Sequence, residues 1–568
     1  MSRSGARILV DQLVVHGVDT AFCVPGESYI AVLDALRDAP IRLVVARHEA
    51  GAANMAEAYG KLTGRPGICF VTRAPGATHA ATGVYTAFQD STPLILFVGQ
   101  VPLEHRGREA FQELDYAAAF GAMTKLAIEV EAAEQFPEIT ARAFQTAVSG
   151  RPGPVVVALP EDVLSETAAV EDAAQFSPAR AVPSDDDLAR AHELLSAAER
   201  PLIVVGGGGW SAAAAADLQA FAEASALPVV ASFRRQDYID NTSQSYAGVL
   251  TIGHDASLAR RLREADLLLV IGSRLGDIAT HGYTTLEPPR TPQTLVHVHA
   301  DPEELGRVFQ ADLPIVARSA DFLAAARTLE PVDSSHRADW TESAHADFLA
   351  SLQHKRGPGE LDVGDVMQHL RKRLPGDAIL TNGAGNYTVW CHRFYAFRRY
   401  RTQLAPCSGA MGYGIPAAIA AKVVHPERTV VCVSGDGDFL MSGHELAAAV
   451  QEELPIVVLI VNNGMYGTIR MHQERLFPGR VVGTDLVNPD FAAVARAFGA
   501  YGEVVLRSED FPDAFERALA ERGPSLLELR VDPEAITPRQ TLSEIRAGAV
   551  SARLGQADPR THESWDPD

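Results

Sequence analysis

Short aliphatic, mostly β-branched runs alternate along this chain with alanine-rich stretches of helical period. Leu43–Ala46, Gly67–Thr72, Leu94–Val98 and Val155–Leu159 come first; Leu202–Val205, Leu267–Ile271 and Thr294–His299 follow, then Thr429–Val433 and Ile456–Val461. A run that is apolar at nearly every position leaves no face for water, so it belongs in a parallel sheet covered by helices on both sides. Strand–helix alternation is how such sheets are connected. No short-period repeat is present, which removes solenoids and propellers. The expected fold class is α/β, with three doubly wound parallel-sheet domains.

The chain has 568 residues, more than one hydrophobic core organises. Two polar stretches, 166–187 and 331–342, read as linkers. They place the expected domains at 1–170, 188–330 and 360–535, with a flexible acidic tail at 555–568. Lys and Arg number 50 against 72 Asp and Glu, a formal charge of −22. That balance excludes nucleic acid or an anionic membrane surface as a bulk partner. The apolar runs are strand length, far below the roughly 20 residues of a membrane span, and the N-terminus lacks a signal-peptide core. Cys23, Cys69, Cys391, Cys407 and Cys432 form no Cys-x-x-Cys pair and read as reduced residues of a cytoplasmic protein.

The chemistry concentrates in the third block. Strand Thr429–Val433 runs into Ser434-Gly435-Asp436-Gly437-Asp438, and strand Ile456–Val461 runs into Asn462-Asn463-Gly464, with 24 residues between Gly437 and Asn462. Glycines at a parallel strand's carboxyl end let the backbone approach a diphosphate. Asp436 and Asn463 add hard oxygen ligands for one Mg²⁺. Each turn is common alone; the pair at this spacing points to a metal-bound diphosphate.

This Gly-Asp-Gly to Asn-Asn pairing resembles the thiamine diphosphate signature, and the resemblance extends over nearly the whole chain to the acetolactate synthase branch of that family. It implies a pyrimidine-binding, a central and a diphosphate-binding domain in that order, and a homodimer or homotetramer with the cofactor between subunits. It also implies that Glu49, in Arg47-His48-Glu49-Ala50-Gly51, hydrogen-bonds the aminopyrimidine ring and promotes the tautomer that deprotonates the thiazolium. In Ser408-Gly409-Ala410-Met411, Gly409 and Met411 match the residues that keep the cofactor bent. Gly385, Asn386 and Tyr387 match a diphosphate loop together with Gly435, Asp436, Gly437 and Asp438. After Asn463, Met465 matches a carbonyl ligand of Mg²⁺, and Tyr466 and Gly467 match diphosphate contacts.

Gln112 matches a glutamine near the reacting carbon, where an amide can donate to a substrate oxygen. Pro25-Gly26-Glu27-Ser28 stands where acetolactate synthases carry Pro-Gly-Gly-Ala, so Gly26 falls at the cofactor and Glu27 adds a carboxylate there. Glu27 reads equally as an acid/base or as a surface loop residue. The acceptor-binding arginine of the family is Ile278 here, and its pocket tryptophan is His472. FAD stays an open alternative: Arg151, Gly206–Gly209 and Arg274 match a flavin site, but His299 replaces its ribose-binding acid.

The function expected is decarboxylation of a pyruvate-like 2-oxo acid with transfer of the acyl carbanion to a carbonyl acceptor. The alternative is a non-ligating decarboxylase of a 2-oxo acid or an oxalyl-CoA-type substrate. A catalytically idle binding homologue is the reading from another class, and Glu49, Asp436 and Asn463 together weigh against it.

Overall fold

The computed structural model describes residues 2–253, 255–330 and 336–555. Their architecture is three six-stranded parallel sheets. In the first, the strands lie in the order Arg42–Val45, Thr20–Cys23, Gly67–Val71, Leu94–Gln100, Pro154–Pro160, Leu126–Glu129. Numbered along the chain, that is second, first, third, fourth, sixth, fifth. The third sheet repeats this order with Gln403–Leu404, Ile379–Asn382, Val430–Gly435, Val457–Asn462, Ser525–Arg530 and Tyr501–Val505. The central sheet differs, running third, second, first, fourth, fifth, sixth: Tyr246–Val249, Val229–Ala231, Pro201–Val205, Leu267–Ile271, Thr294–His299, Leu313–Val316. That is the dinucleotide-fold order.

The expected α/β class is what the chain adopts. The inner strands are buried along all or nearly all of their length, as in Ile68, Phe70, Ile95 and Phe97 of the first sheet and Val431, Val433 and Leu459 of the third. Four cysteines are buried, Cys407 is partly so, and all five are free thiols.

By packing, the described chain forms two compact units. One holds the first sheet with Pro406–Pro426 and Ser442–Leu454; the other holds the central and third sheets. Within the first unit, helix Gly414–Val424 packs along helix Glu49–Thr63, so a stretch distant in sequence joins the first core. Among the described residues no helix is long and apolar enough to cross a membrane.

The linker read at 331–342 is shorter than its composition suggests. Helix Ala338–Ser351 begins inside it, anchored by Arg337. This side chain is fully buried and donates to the carbonyls of Leu195, Ala198 and Ser225. Burial with three carbonyl partners is what makes a charged residue an anchor here instead of a solvated one. The acidic tail expected at 555–568 lies, from 556 on, outside the described residues.

Candidate active site

In the second unit, strands Val430–Gly435 and Val457–Asn462 are hydrogen-bonded neighbours, with Gly435 beside Val461. Asp436 and Asn463 therefore emerge side by side at their carboxyl ends. Asp436 is buried; its Oδ1 accepts the Gly437 N–H at 2.9 Å, and its Oδ2 accepts the Gly464 N–H at 2.9 Å and Asn488 Nδ2 at 2.7 Å. Burial pushes its carboxyl up, while these hydrogen bonds pull it back toward the charged form. Asn488 Oδ1 is buried without a hydrogen-bond partner beside this carboxylate. Asn463 Oδ1 accepts the Met465 N–H at 3.2 Å, fixing the turn that carries Gly464 at φ 69°.

The surrounding backbone leaves no room for side chains. A Cβ on Gly437 would lie 2.6 Å from the Tyr466 ring, and one on Gly383 would lie 2.2 Å from Asp438 Oδ1. Asp438 Oδ2 accepts from the Tyr387 hydroxyl at 2.7 Å and Ser434 Oγ at 2.6 Å, and its Oδ1 accepts the Ala384 N–H at 3.3 Å. Tyr387 in turn accepts the Gly383 N–H at 3.0 Å. The Tyr387 and Asp438 side chains thus hold the Gly383–Gly385 loop against the Gly435–Asp438 turn. Asn386 is tied through Nδ2 to the Ile536 carbonyl at 3.0 Å and accepts from Thr468 at 2.8 Å. Tyr466 caps helix Gly467–Leu476, whose N-terminus opens beside Asn463. Backbone donors, a glycine cradle and a buried carboxylate next to a carboxamide are a donor set suited to a diphosphate with Mg²⁺.

In the first unit, Gly26, Glu49 and Arg73 follow three neighbouring strands, Thr20–Cys23, Arg42–Val45 and Gly67–Val71. Glu49 opens helix Glu49–Thr63, and His48 caps it by accepting the Ala50 N–H on Nδ1 at 3.1 Å. His79 Nδ1 lies 2.9 Å from Glu49 Oε2. The loop that delivers Glu49 is clamped from below by Glu445, whose carboxylate accepts the N–H groups of Arg47 and His48 at 2.9–3.1 Å. Burial pushes the Glu445 carboxyl up to about 7 against those two hydrogen bonds.

Gly26 packs on Thr72, where a Cβ would come within 2.5 Å. The Glu27 side chain is 76% exposed and pairs with the nearly buried Arg73 at 3.3 Å; Arg73 also pairs with Glu161. Gln112 is partly buried, at φ 66°, and its backbone carbonyl accepts the Ala74 N–H. Gly409 and Met411 join this unit through a buried polar cluster. Cys407 N–H donates to Asp90, Ser408 bonds Thr86, and Lys61 pairs with Glu57 at 3.1 Å and with Asp90 at 3.3 Å. Tyr413 donates to Glu57 at 2.5 Å.

Sequence reading found the strand-end residues and missed their partners: His79, Glu445, Asn488, Glu57, Asp90 and Lys61. None of these sits in a strand-end motif.

In the central sheet, Gly206–Gly209 makes a tight turn. Its Gly206 and Gly207 carbonyls accept from Trp210 at 2.8 Å and Tyr238 at 2.6 Å, and a Cβ on Gly207 would come 1.9 Å from the Gly272 carbonyl. Gly207 thus lets two backbones approach each other, Gly206 packs on the Ser232 side chain, and Gly209 has nothing within 4 Å of a Cβ. Buried His299 accepts the Asp301 N–H within its own loop.

Comparison with known proteins matches three family models in chain order. These are the thiamine pyrophosphate enzyme N-terminal binding domain at residues 3–119, the central domain at 188–326 and the C-terminal binding domain at 383–529. The acetolactate synthase isozyme 2 large subunit of Escherichia coli is 32% identical over 93% of this chain and 96% of its own length. The acetolactate synthase large subunit of Corynebacterium glutamicum is 33% identical, covering 91% and 84% respectively. A probable acetolactate synthase large subunit of Methanocaldococcus jannaschii is 30% identical, covering 94% and 93%.

Proposed function

Since the chain belongs to the thiamine pyrophosphate enzyme family, as an acetolactate synthase-like carboligase dependent on thiamine diphosphate, we propose which residues carry the reaction. The observation that supports the assignment most is buried Asp436 beside Asn463 in a glycine cradle. Asp436, Asn463 and the Met465 carbonyl would hold Mg²⁺. Gly385, Asn386, Tyr387, Gly435, Gly437, Asp438, Tyr466 and Gly467 would line the diphosphate, with Tyr387 and Asp438 acting by holding the loop.

When bound, thiamine diphosphate supplies an acidic ring carbon that adds to a carbonyl and takes up the electron pair released with CO₂. Glu49 meets the aminopyrimidine and exchanges a proton with it. Gly26, Gly409 and Met411 shape its bed, Gly409 and Met411 held there by the Glu57–Asp90–Lys61 cluster. Gln112 donates to a substrate oxygen without offering an acid that would quench a carbanion. Glu27 is read here as the movable partner of Arg73, available to a proton on the substrate. The substrate is a pyruvate-like 2-oxo acid.

The remaining assignments belong to the same proposal: domains at 1–170, 188–330 and 360–535, a homodimer or homotetramer, and a cytoplasmic location. A flavin takes no step, and the close packing of Gly206 and Gly207 weighs toward a structural turn. The test is turnover of pyruvate with thiamine diphosphate and Mg²⁺, with CO₂ and acetolactate quantified and the visible spectrum recorded. Acetolactate is expected. CO₂ with acetaldehyde alone would favour the decarboxylase reading that Ile278 invites.

A further inference from the structure

His79 touches Glu49 but has no part in the assignment above. It stands on helix Ala74–Asp90, with its ring stacked on His48 at 4.5 Å between centroids and 27° between planes. His48 is itself fixed by the Ala50 N–H, so the stack sets the plane in which His79 Nδ1 meets Glu49 Oε2. The Glu49 side chain is 13% exposed and that of His79 53%. The imidazole is thus the more solvent-facing member of the pair. Oε1 of Glu49 lies over Gly76, where even a Cβ would approach within 3.4 Å, and is left for another partner.

The other titratable groups packed here are engaged or held neutral. Burial, and then His79, lowers the His48 titration; burial lowers that of His444, whose ring lies 5.7 Å from His48. Glu445 is pinned to two backbone N–H groups. The Arg47 guanidinium donates to the Val45 carbonyl and to Gln451. Burial pushes the Tyr29 hydroxyl and the Cys69 thiol up, keeping both neutral.

We propose that His79 is the proton store of Glu49, a positioning residue for the cofactor's ring. This rests on the reading that Glu49 meets the aminopyrimidine. In the proposed resting state the pair is an imidazolium and a carboxylate, with the Nδ1–H on the Glu49 Oε2 contact. When an aminopyrimidine ring nitrogen docks, the Nδ1–H bond breaks and an Oε2–H bond forms, leaving a neutral imidazole protonated on Nε2 and a neutral carboxyl. The net charge of the pair is unchanged. A half-turn about the Glu49 Cγ–Cδ bond presents the new O–H to the ring nitrogen.

The test counts protons, not turnover. Thiamine diphosphate binding in Mg²⁺ is titrated calorimetrically in buffers of different ionisation enthalpy, at about pH 6 and about pH 8, on either side of the ordinary histidine range. The proteins are wild type, H79Q and E49Q. Glutamine keeps an N–H for Glu49 but stores no proton, and the E49Q count subtracts the phosphate's own protonation. The stoichiometry in the same titration reports folding. With the donor imidazole kept neutral in the complex, as the proposal requires, wild type at about pH 6 takes up close to no proton above the E49Q baseline and H79Q about one; at about pH 8 both take up about one. Equal uptake by wild type and H79Q at about pH 6 overturns the proposal. Wild type matching E49Q at about pH 8, with H79Q doing the same, overturns the role of Glu49 as well.

Discussion

The first and third sheets share one strand order and carry opposite chemistry at their strand ends. After its strands the first presents Glu27, Glu49 and Arg73, charged side chains gripped by other side chains, as in Arg73–Glu27 and Glu49–His79. The third presents Gly383, Gly385, Gly435, Gly437 and Gly464, where backbone takes the place of side chains and Asp436 is wrapped in N–H donors. On the proposed assignment, one wrapping of the chain serves a proton-handling end and a phosphate-handling end. The difference lies in whether side chains or glycines follow the strands.

The sharpest way to break that comparison is at Glu49. E49Q keeps the shape of the side chain and removes its proton transfer. Turnover should fall about 10²–10⁴-fold, the usual weight of a general acid or base, in a steady-state assay. Turnover within a few-fold of wild type would break the division of labour.

A second comparison uses pH. The Glu445 carboxyl is raised to about 7 in the folded chain, so it binds a proton there that the unfolded chain has already lost. Its contribution is fully favourable below the unfolded value of about 4.3, fades as pH rises toward about 7, and by then has cost up to about 3 kcal/mol. E445Q should therefore flatten the decline in melting temperature between about pH 4.5 and about pH 7. An unchanged slope would remove Glu445 as its cause.

The smallest effect separates the two kinds of glycine. G383A drives a Cβ against Asp438 and should cost about 1–3 kcal/mol. G409A meets nothing within 4 Å but holds φ 71° and should cost about 1 kcal/mol. Denaturant melts that rank them the other way would show the cradle to be slack.

Much of this was legible in the sequence. The buried strands Leu267–Ile271 and Thr294–His299 occur at their expected bounds, the first because it is wholly apolar and the second because Leu295, Val296 and Val298 carry its aliphatic signal around His297. Edge strands were legible only in part: Arg42–Val45 was expected one residue along, as Leu43–Ala46, whereas Tyr501–Val505 is half-buried for most of its length and lacks an apolar signature. Strand-end motifs are local and were visible, as Asp436 and Asn463 illustrate. Their supports are not local. Glu445 lies 397 positions from His48, and Asp90 lies 317 from Cys407, so only folding reveals the pairs. His79 lies 30 positions from Glu49 and one helix away, and its lone histidine in an alanine-rich helix gave no signal. The polar 331–342 stretch misled for the opposite reason, since Arg337 is charged in sequence and buried in the fold.

The central claim is the proposed division of labour, with Glu49 after the first sheet's strands exchanging a proton and Asp436 after the third sheet's strands holding the metal-bound diphosphate, and it is tested most directly by measuring thiamine diphosphate affinity in Mg²⁺ for E49Q and D436A side by side. D436A removes the carboxylate proposed to hold Mg²⁺ and leaves the Gly437 and Gly464 N–H groups without their acceptor, so its affinity should fall at least about 100-fold, the weight of a lost charged contact. E49Q should bind within about tenfold of wild type. Equal affinities for D436A and wild type, or a loss in E49Q as deep as in D436A, would contradict the account.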